Sequence, residues 1–176
     1  MAEHERSEFF YICGYNIVSP FIVCSSLGDL QQKLGAPRTD AKPYLVAGDA
    51  YRNPWLGLEL RKPAGFSFGR LDAVWPSTLL VEMNGPDGSR LELHEIPVDP
   101  WDTAGAAARD VLKKLGVEGE PKAGTAGGRD SYAASGADAA VVVIPEAGVV
   151  WAIKATGKAA MAGLDRAARS LRFRVD

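Results

Sequence analysis

The sequence has little of what the common metal-binding, membrane-spanning and nucleic-acid-binding functions require. It contains two cysteines and two histidines, too few for a zinc finger of the usual ligand spacing. No apolar run approaches the length of about 18 residues that a membrane-spanning helix needs. Its 20 basic side chains are outnumbered by 22 acidic ones, so the basic excess that favours phosphate contacts is absent. We therefore expect no metal, no cofactor and no nucleic-acid partner.

The overall composition is that of an ordinary globular protein. The 176 residues are 47% hydrophobic and 24% charged, a balance typical of folded domains in water. A chain of this length buries a substantial core and usually forms one domain. Prolines and glycine between residues 36 and 50 favour a connector. We predict an N-terminal extension over residues 1–50 and a main domain over residues 51–176.

Residues 9–24 form the most apolar stretch of the extension. Aromatic and β-branched residues dominate it, which favours a pair of short strands that turn at Ser19 and Pro20. The alternative is a degenerate secretion signal that ends at a lipid-bearing Cys24, although acidic residues precede the segment where a signal carries positive charge. A short helix is expected after Ser26. We predict a cytoplasmic protein, with a cell-envelope lipoprotein anchored through Cys24 as the alternative, and membrane association only in that second case.

The main domain shows runs of strand patterns broken by two helix patterns. Short turn-forming links join neighbouring strands, which makes those strands antiparallel. Apolar residues from Ala104 to Leu115 recur at helical spacing, and a second helix follows Thr156, whose hydroxyl is a candidate cap. This order predicts an α+β fold in which an antiparallel sheet is flanked by helices, an α/β/α sandwich. Strands are predicted at residues 56–60, 66–68, 77–83, 90–96, 129–134, 137–145 and 149–156, and a short strand is predicted within the connector at residues 44–47.

No segment carries a complete set of catalytic residues. Ser67 lies in a G-x-S-x-G pattern, but Pro76 leaves too little room for the helix that a nucleophile elbow requires, so ordinary strand packing is expected. Glu92 and His94 share one face of a predicted strand but have no evident third ligand, which favours a pair that faces water over a metal site. We predict that the protein is not an enzyme.

The remaining candidates are binding residues. Trp55, Trp75 and Trp101 lie beside prolines near strand ends or loops. There they either seal the core, which is the favoured role for most of them, or line a partner-binding surface. The glycine-rich segment that ends at Arg129 offers amides and a cation to an anion, but it lacks the strand-loop-helix context of a phosphate site.

Two motifs near the ends of the main domain carry a resemblance to a known family. Residues 53–66 read N-P-W-L-G-L-E-L-R-K-P-A-G-F, and residues 170–173 read S-L-R-F. Over about residues 51–173 the chain resembles the PsbP-like superfamily, in which a tryptophan more often stands at the position of Phe66. The resemblance implies an antiparallel sheet between helices. It also implies protein binding, since relatives include photosystem II extrinsic subunits, a Ran-binding nuclear factor and chaperones for secreted effectors.

The leading functional hypothesis is therefore a non-enzymatic protein-binding domain that acts as an adaptor, accessory subunit or chaperone. We expect a protein partner, with a second copy of the chain as one option. The candidate contact residues are Trp55, Trp75, Trp101 and Arg129. The alternatives are the lipoprotein anchored through Cys24 and a binder of a small molecule or anion at the loop before Arg129.

Overall fold

The computed structural model describes residues 44–54, 56–71, 78–99, 101–146 and 148–173. The chain divides into two compact units at the bond between Pro43 and Tyr44, and every described residue belongs to the second unit. The strand pair and short helix predicted for the N-terminal extension, together with Cys24, lie outside the described residues.

Strands are the commonest secondary structure in the described residues of the second unit. Two helices are described, α1 (Ala104–Lys114) and α2 (Lys158–Ser170), and residues Pro86–Gly88 form a single 3-10 turn. The strands are β1 (Leu45–Ala47), β2 (Ala50–Asn53), β3 (Leu58–Arg61), β4 (Ser67–Phe68), β5 (Leu79–Asn84), β6 (Arg90–Pro97), β7 (Lys122–Ala126), β8 (Arg129–Ser135), β9 (Ala139–Glu146), β10 (Val149–Thr156) and β11 (Arg172–Phe173).

These strands form two antiparallel sheets. The larger one has seven strands in the order β4-β5-β6-β10-β9-β8-β7, and the smaller one has four in the order β1-β2-β3-β11. Consecutive strands are neighbours in most of the larger sheet because their links are short. The prediction of antiparallel strands is confirmed.

Strand β10 lies in the middle of the larger sheet and supplies side chains to two cores. Trp151 and Ile153 pack in a core with α2 and the smaller sheet, whereas Val150 and Ala152 pack in a second core with α1. Successive side chains of a strand point to opposite faces, so one strand serves both cores. A helix therefore covers each face of the larger sheet, and the predicted α+β fold with an antiparallel sheet flanked by helices is confirmed.

Helix α1 follows the predicted pattern closely. The Thr103 hydroxyl oxygen accepts a hydrogen bond from the amide of Ala106 at 3.3 Å, which caps the first turn. Lys113 and Lys114 lie in the last turn, where positive charge is favourable to the helix dipole. The buried face consists of Ala107, Ala108, Val111 and Leu112.

Helix α2 begins differently from the prediction. Thr156 is the last residue of β10 and does not cap the helix; the N-cap residue is Gly157, which has no side chain to do so. Instead, the Ser89 hydroxyl oxygen accepts from the amide of Ala159 at 3.2 Å. Ser89 lies in the link between β5 and β6, so the residue that caps α2 is 70 positions away from Ala159 in the chain. The cap prediction is wrong because it considered only local partners.

Three strands near the sheet edges compare differently with the sequence-based expectation. A short strand is predicted at residues 44–47 and β1 forms there, whereas β2 and β7 are not predicted. Strand β1 pairs with β2, and Tyr44 stacks on Tyr51 with ring centroids 5.9 Å apart. These contacts place residues 44–50 in the main domain, although the predicted boundary assigned them to the extension. Strand β7 was not predicted, since its K-A-G-T-A sequence has low strand propensity; pairing with β8 forms it.

Neither α1 nor α2 has both the length and the hydrophobicity that crossing a lipid bilayer demands, and the residues that the structure describes contain no other α-helix.

The packing of α2 against the sheet leads to a stability prediction. Leu164 is 7% exposed, and Leu164→Ala is expected to reduce the free energy of unfolding by about 2–5 kcal/mol because it leaves a cavity. The control Asp165→Ala changes an exposed neighbour on the same helix and is expected to stay within about 0.5 kcal/mol of wild type. Urea denaturation followed by circular dichroism measures both. Equal losses in the two variants would contradict the assigned packing of α2.

Candidate functional site

Trp101 has an unusual position for a tryptophan. Its side chain is 90% exposed, compared with 63% for Leu45 and 44% for Val46, the other large hydrophobic residues exposed in the described ranges. It lies between β6 and α1 and belongs to neither core. The core-sealing role, which is expected for most of the tryptophans, therefore does not apply to Trp101, and its partner-binding role stays a prediction.

The backbone around Trp101 is held by hydrogen bonds. The amide of Trp101 donates to Oδ1 of Asp99 at 3.0 Å. The amide of Asp102 donates to the carbonyl oxygen of Asp99 at 3.1 Å, and Thr103 caps the helix that follows. The exposed indole is thus presented by a fixed turn at the start of α1.

The other tryptophans are placed differently. Trp151 is 5% exposed and packs against Phe173 with ring centroids 5.8 Å apart and the rings tilted by 52°. Its indole N–H is buried and has no hydrogen-bond acceptor within the described part of the chain, so Trp151 acts through packing. Trp55 and Trp75 lie outside the described residues, and their predicted contact role stays a prediction.

Arg129 is the first residue of β8 and has two partners. Its guanidinium group forms an ion pair with Glu146 at the end of β9. The guanidinium carbon also lies 4.2 Å from the centroid of the Phe173 ring, within the range of a cation–π contact. The positive charge of Arg129 is therefore already matched. The hypothesis that Arg129 binds an anion gains no support from this arrangement.

The glycine-rich segment before Arg129 forms the β7–β8 hairpin. Gly127 has φ +60°, and a Cβ there would lie 2.9 Å from the carbonyl oxygen of Leu171 and 3.3 Å from Cε2 of Phe173. The turn thus packs directly against β11. Gly128 has φ +79°, but a Cβ there would meet nothing within 4 Å. Position 127 therefore requires glycine for two reasons: its φ is positive, and Leu171 and Phe173 lie too close to leave room for a Cβ.

Glu92 and His94 share a face of the larger sheet, as predicted, but they do not form a simple pair in water. Their side chains are 18% and 13% exposed. Nδ1 of His94 lies 3.2 Å from the Thr78 hydroxyl oxygen, and Nε2 lies 3.9 Å from Oε2 of Glu92, an ion-pair distance too long for a hydrogen bond. The predicted exposure is wrong because neighbouring strands and Thr78 cover the two side chains.

The neighbours of Glu92 form an electrostatic network. Nη1 of Arg90 lies 3.6 Å from a carboxylate oxygen of Glu82 and 3.9 Å from one of Glu92. The His94 ring, and after it Lys154 and Arg90, lower the pKa of Glu92, although burial acts in the opposite direction. No group of three or more histidine, cysteine or acidic side chains in the described ranges is arranged to hold a metal ion.

Glu95 lies on the opposite face of β6, where its charged form is less stable than that of Glu92. Glu95 pairs with Trp151 across the sheet, and burial raises the pKa of Glu95. Burial also raises the pKa of Tyr51, which is 1% exposed. The folded protein therefore disfavours the charged form of Glu95.

Ser67 occupies the ordinary strand position that was predicted for it. It pairs with Asn84 across β4 and β5, and its hydroxyl donates to the Asn84 carbonyl oxygen at 3.4 Å. This is a strand-to-strand contact and lacks the strand-to-helix turn of a nucleophile elbow.

The close approach of the β7–β8 turn to β11 predicts unequal effects of alanine at two adjacent glycines. Gly128→Ala is expected to cost about 1–2 kcal/mol of unfolding free energy, because alanine is strained at positive φ. Gly127→Ala carries the same strain and a collision with Leu171, so we expect a loss larger by at least about 1 kcal/mol. Urea denaturation of both variants tests the difference. Equal losses would show that the turn does not pack on β11.

Because the pKa of Glu95 is raised, removing its charge is expected to stabilise the folded protein by an amount that depends on pH. At pH 7, Glu95→Gln is expected to raise the thermal midpoint, because the folded wild type holds a charged carboxylate in a partly buried position that disfavours it. As the pH falls through the raised pKa, wild-type Glu95 takes up a proton preferentially in the folded state and the difference shrinks. Scanning calorimetry at pH 7 and below the ordinary value of 4.5 measures this. The control is Glu120→Gln, which removes a charge from an exposed position. If Glu95→Gln raised the thermal midpoint as much at low pH as at pH 7, the raised pKa of Glu95 would be contradicted.

Comparison with known proteins bears on the fold. No protein-family model and no curated protein matches the sequence. Among solved structures, the solution structure of cyanobacterial PsbP (CyanoP) from Synechocystis sp. PCC 6803 is similar with a TM-score of 0.51 at 14% identity, over 81% of this chain and 99% of that chain. A crystal structure of a protein from Bacteroides thetaiotaomicron has a TM-score of 0.44 at 10% identity, over 68% of this chain and 46% of that chain. The similarity to CyanoP, at so low an identity, concerns the fold alone: the chain has a PsbP-like fold.

Proposed function

We propose that this protein is a non-enzymatic accessory domain that binds a protein partner through a surface centred on Trp101. The observation that carries the proposal is the 90% exposure of that indole. Tryptophan is among the residues most enriched where binding energy concentrates in protein interfaces. An adaptor, a subunit of a larger assembly and a chaperone would each use such a surface.

The exposed indole is worth a large free energy if a partner covers it. Burying an aromatic side chain removes about 150–250 Å² from water, which corresponds to about 4–6 kcal/mol at about 25 cal/mol per Å². Part of this is offset by the entropy lost on association. Because the turn around Trp101 is already held by Asp99, little further ordering of the backbone is required.

The state of the other polar groups supports binding over catalysis. His94 is engaged with Thr78 and Glu92, and Arg129 is paired with Glu146. A general base or an anion-stabilising cation needs a free face toward a substrate. Instead, the ring of His94 faces Thr78 and Glu92, and the guanidinium group of Arg129 faces Glu146.

Replacing Trp101 is expected to weaken partner binding without unfolding the domain. The full chain would be captured from its native cells, the co-purifying protein identified and purified, and its Kd measured by calorimetry. Trp101→Ala is expected to raise Kd by about 30-fold or more, since a hot-spot residue contributes at least about 2 kcal/mol. Its unfolding free energy should stay within about 0.5 kcal/mol of wild type, because the ring packs in neither core.

The matched control is Leu45→Ala, which removes another exposed apolar side chain on the edge strand β1. It is expected to leave Kd unchanged. Equal Kd values for wild type and Trp101→Ala would overturn the assignment of Trp101 as the anchor. If no protein co-purifies at all, the proposal of a protein partner fails.

A further inference from the structure

A second surface combines a cavity with unmatched positive charge. Two adjoining cavities of about 390 and 360 Å³ lie along α2 and share Pro63, Ala64 and Arg166. We call this surface the α2 groove. Its apolar walls consist of one aromatic ring, that of Phe66, and of smaller residues, namely Pro63, Ala64, Pro86, Ala159, Ala162 and Gly163.

The α2 groove is separate from the surface around Trp101. Pro86 lies just before β6 begins, whereas Trp101 follows the end of that strand. The seven residue steps of β6 span about 23 Å at about 3.3 Å per residue. The groove also lies on the α2 side of the larger sheet, and Trp101 leads into α1 on the other side. A ligand in the groove would leave Trp101 free.

The charges at the groove are not balanced. Arg61 has acidic neighbours, with Nη1 3.2 Å from Asp49 and Nη2 3.7 Å from Glu59. The side chains of Lys62 and Arg166 line the groove, and neither has an ion pair or hydrogen bond to any residue in the described part of the chain. Two positive charges are thus left over on a protein whose net charge is −2.

The walls of the groove are held in place before any ligand arrives. The amide of Arg61 donates to the Ser170 hydroxyl oxygen at 3.0 Å, which ties the end of α2 to β3. The amide of Lys62 donates to the carbonyl oxygen of Asp49 at 2.9 Å, and the amide of Phe66 donates to that of Pro63 at 3.2 Å. A preformed groove loses little conformational entropy when it binds.

We propose that the α2 groove binds an extended segment of a partner protein that carries an acidic side chain next to a large apolar one. The small wall residues leave room for the apolar side chain, and the guanidinium of Arg166 with the ammonium of Lys62 matches the carboxylate. A groove that is partly open to solvent suits an extended peptide better than an enclosed small molecule. This site goes beyond the proposed Trp101 surface and does not depend on it.

A titration with synthetic peptides tests the proposal on the full chain. The probe is a blocked hexapeptide of alternating leucine and glutamate, compared with the same peptide in which glutamine replaces glutamate. Amide NMR signals of Ala64, Ala162 and Gly163 are expected to shift with the acidic peptide. Its Kd should be lower by about tenfold or more than that of the neutral peptide, because charge-assisted hydrogen bonds are the stronger ones.

Two variants that each remove one positive charge from α2 distinguish peptide binding in the groove from a general attraction between the acidic peptide and a basic surface. Arg166→Gln is expected to raise the Kd of the acidic peptide by about tenfold. Arg169→Gln removes the same charge from an exposed site on the same helix that does not line the groove, and it should have no effect. Ala162→Phe fills the groove from an exposed position and should abolish binding, while Trp101→Ala should leave the titration unchanged.

Several results would overturn the proposal. Equal affinity for the acidic and neutral peptides, an equal effect of Arg166→Gln and Arg169→Gln, or signal shifts elsewhere on the domain would each do so. The absence of any shift at about 5 mM peptide, where even weak specific binding is populated, would do the same. If sedimentation of the protein alone finds a dimer that Arg166→Gln dissociates, the groove is an interface between two copies and binds no partner segment.

Discussion

The structure depends on the alternation of side chains along β10. This strand lies between β6 and β9, and its residues point in turn to the core under α2 and to the core under α1. A shift of register by one residue would exchange the two sets. Trp151 would then face the small alanines of α1, and Ala152 would leave a void beneath α2. Both helices and the smaller sheet are therefore positioned by one register.

A second constraint joins the two sheets at one end. Phe173 of β11 belongs to the smaller sheet, yet it contacts Trp151 and Arg129 of the larger one. The Arg129 guanidinium bridges this aromatic contact and the carboxylate of Glu146. Because the cation, the ring and the carboxylate come from three different strands, their joint role is to hold the sheets together. Arg129, which the sequence offered as a candidate anion-binding residue, therefore stabilises the contact between the two sheets.

The two surfaces proposed for binding are those where an apolar ring or a charge has no partner within the described part of the chain. Trp101 exposes an apolar ring on a fixed turn, and Arg166 presents a charge without a partner in the described residues beside small apolar walls. Arg129 and Arg166 are chemically identical, and both follow glycine-containing segments in the sequence. Arg129 lies beside Glu146 and Phe173 and holds the sheets together, whereas Arg166 lies exposed on α2, where a binding role is proposed for it.

The sequence by itself determined the features that follow from local periodicity. The spacing of apolar residues predicts α1 and α2, the short links predict antiparallel neighbours, and the boundaries of β10 coincide with the predicted residues 149–156. The resemblance in residues 53–66 and 170–173 also led to the PsbP-like fold. The helices and the strand pairs depend on residues close together in the chain, where side-chain direction repeats regularly. The fold-level expectation came from the resemblance of the two motifs to a known family.

Tertiary structure decided the features that join distant residues. The cap of α2 comes from Ser89, β7 exists through its pairing with β8, and β1 joins the main domain by pairing with β2. Likewise, whether a tryptophan or an arginine is free for a partner depends on what the fold brings against it. Periodicity along the chain predicts which face of a helix or strand is buried, but it does not say which distant residue covers that face or pairs with a given charge.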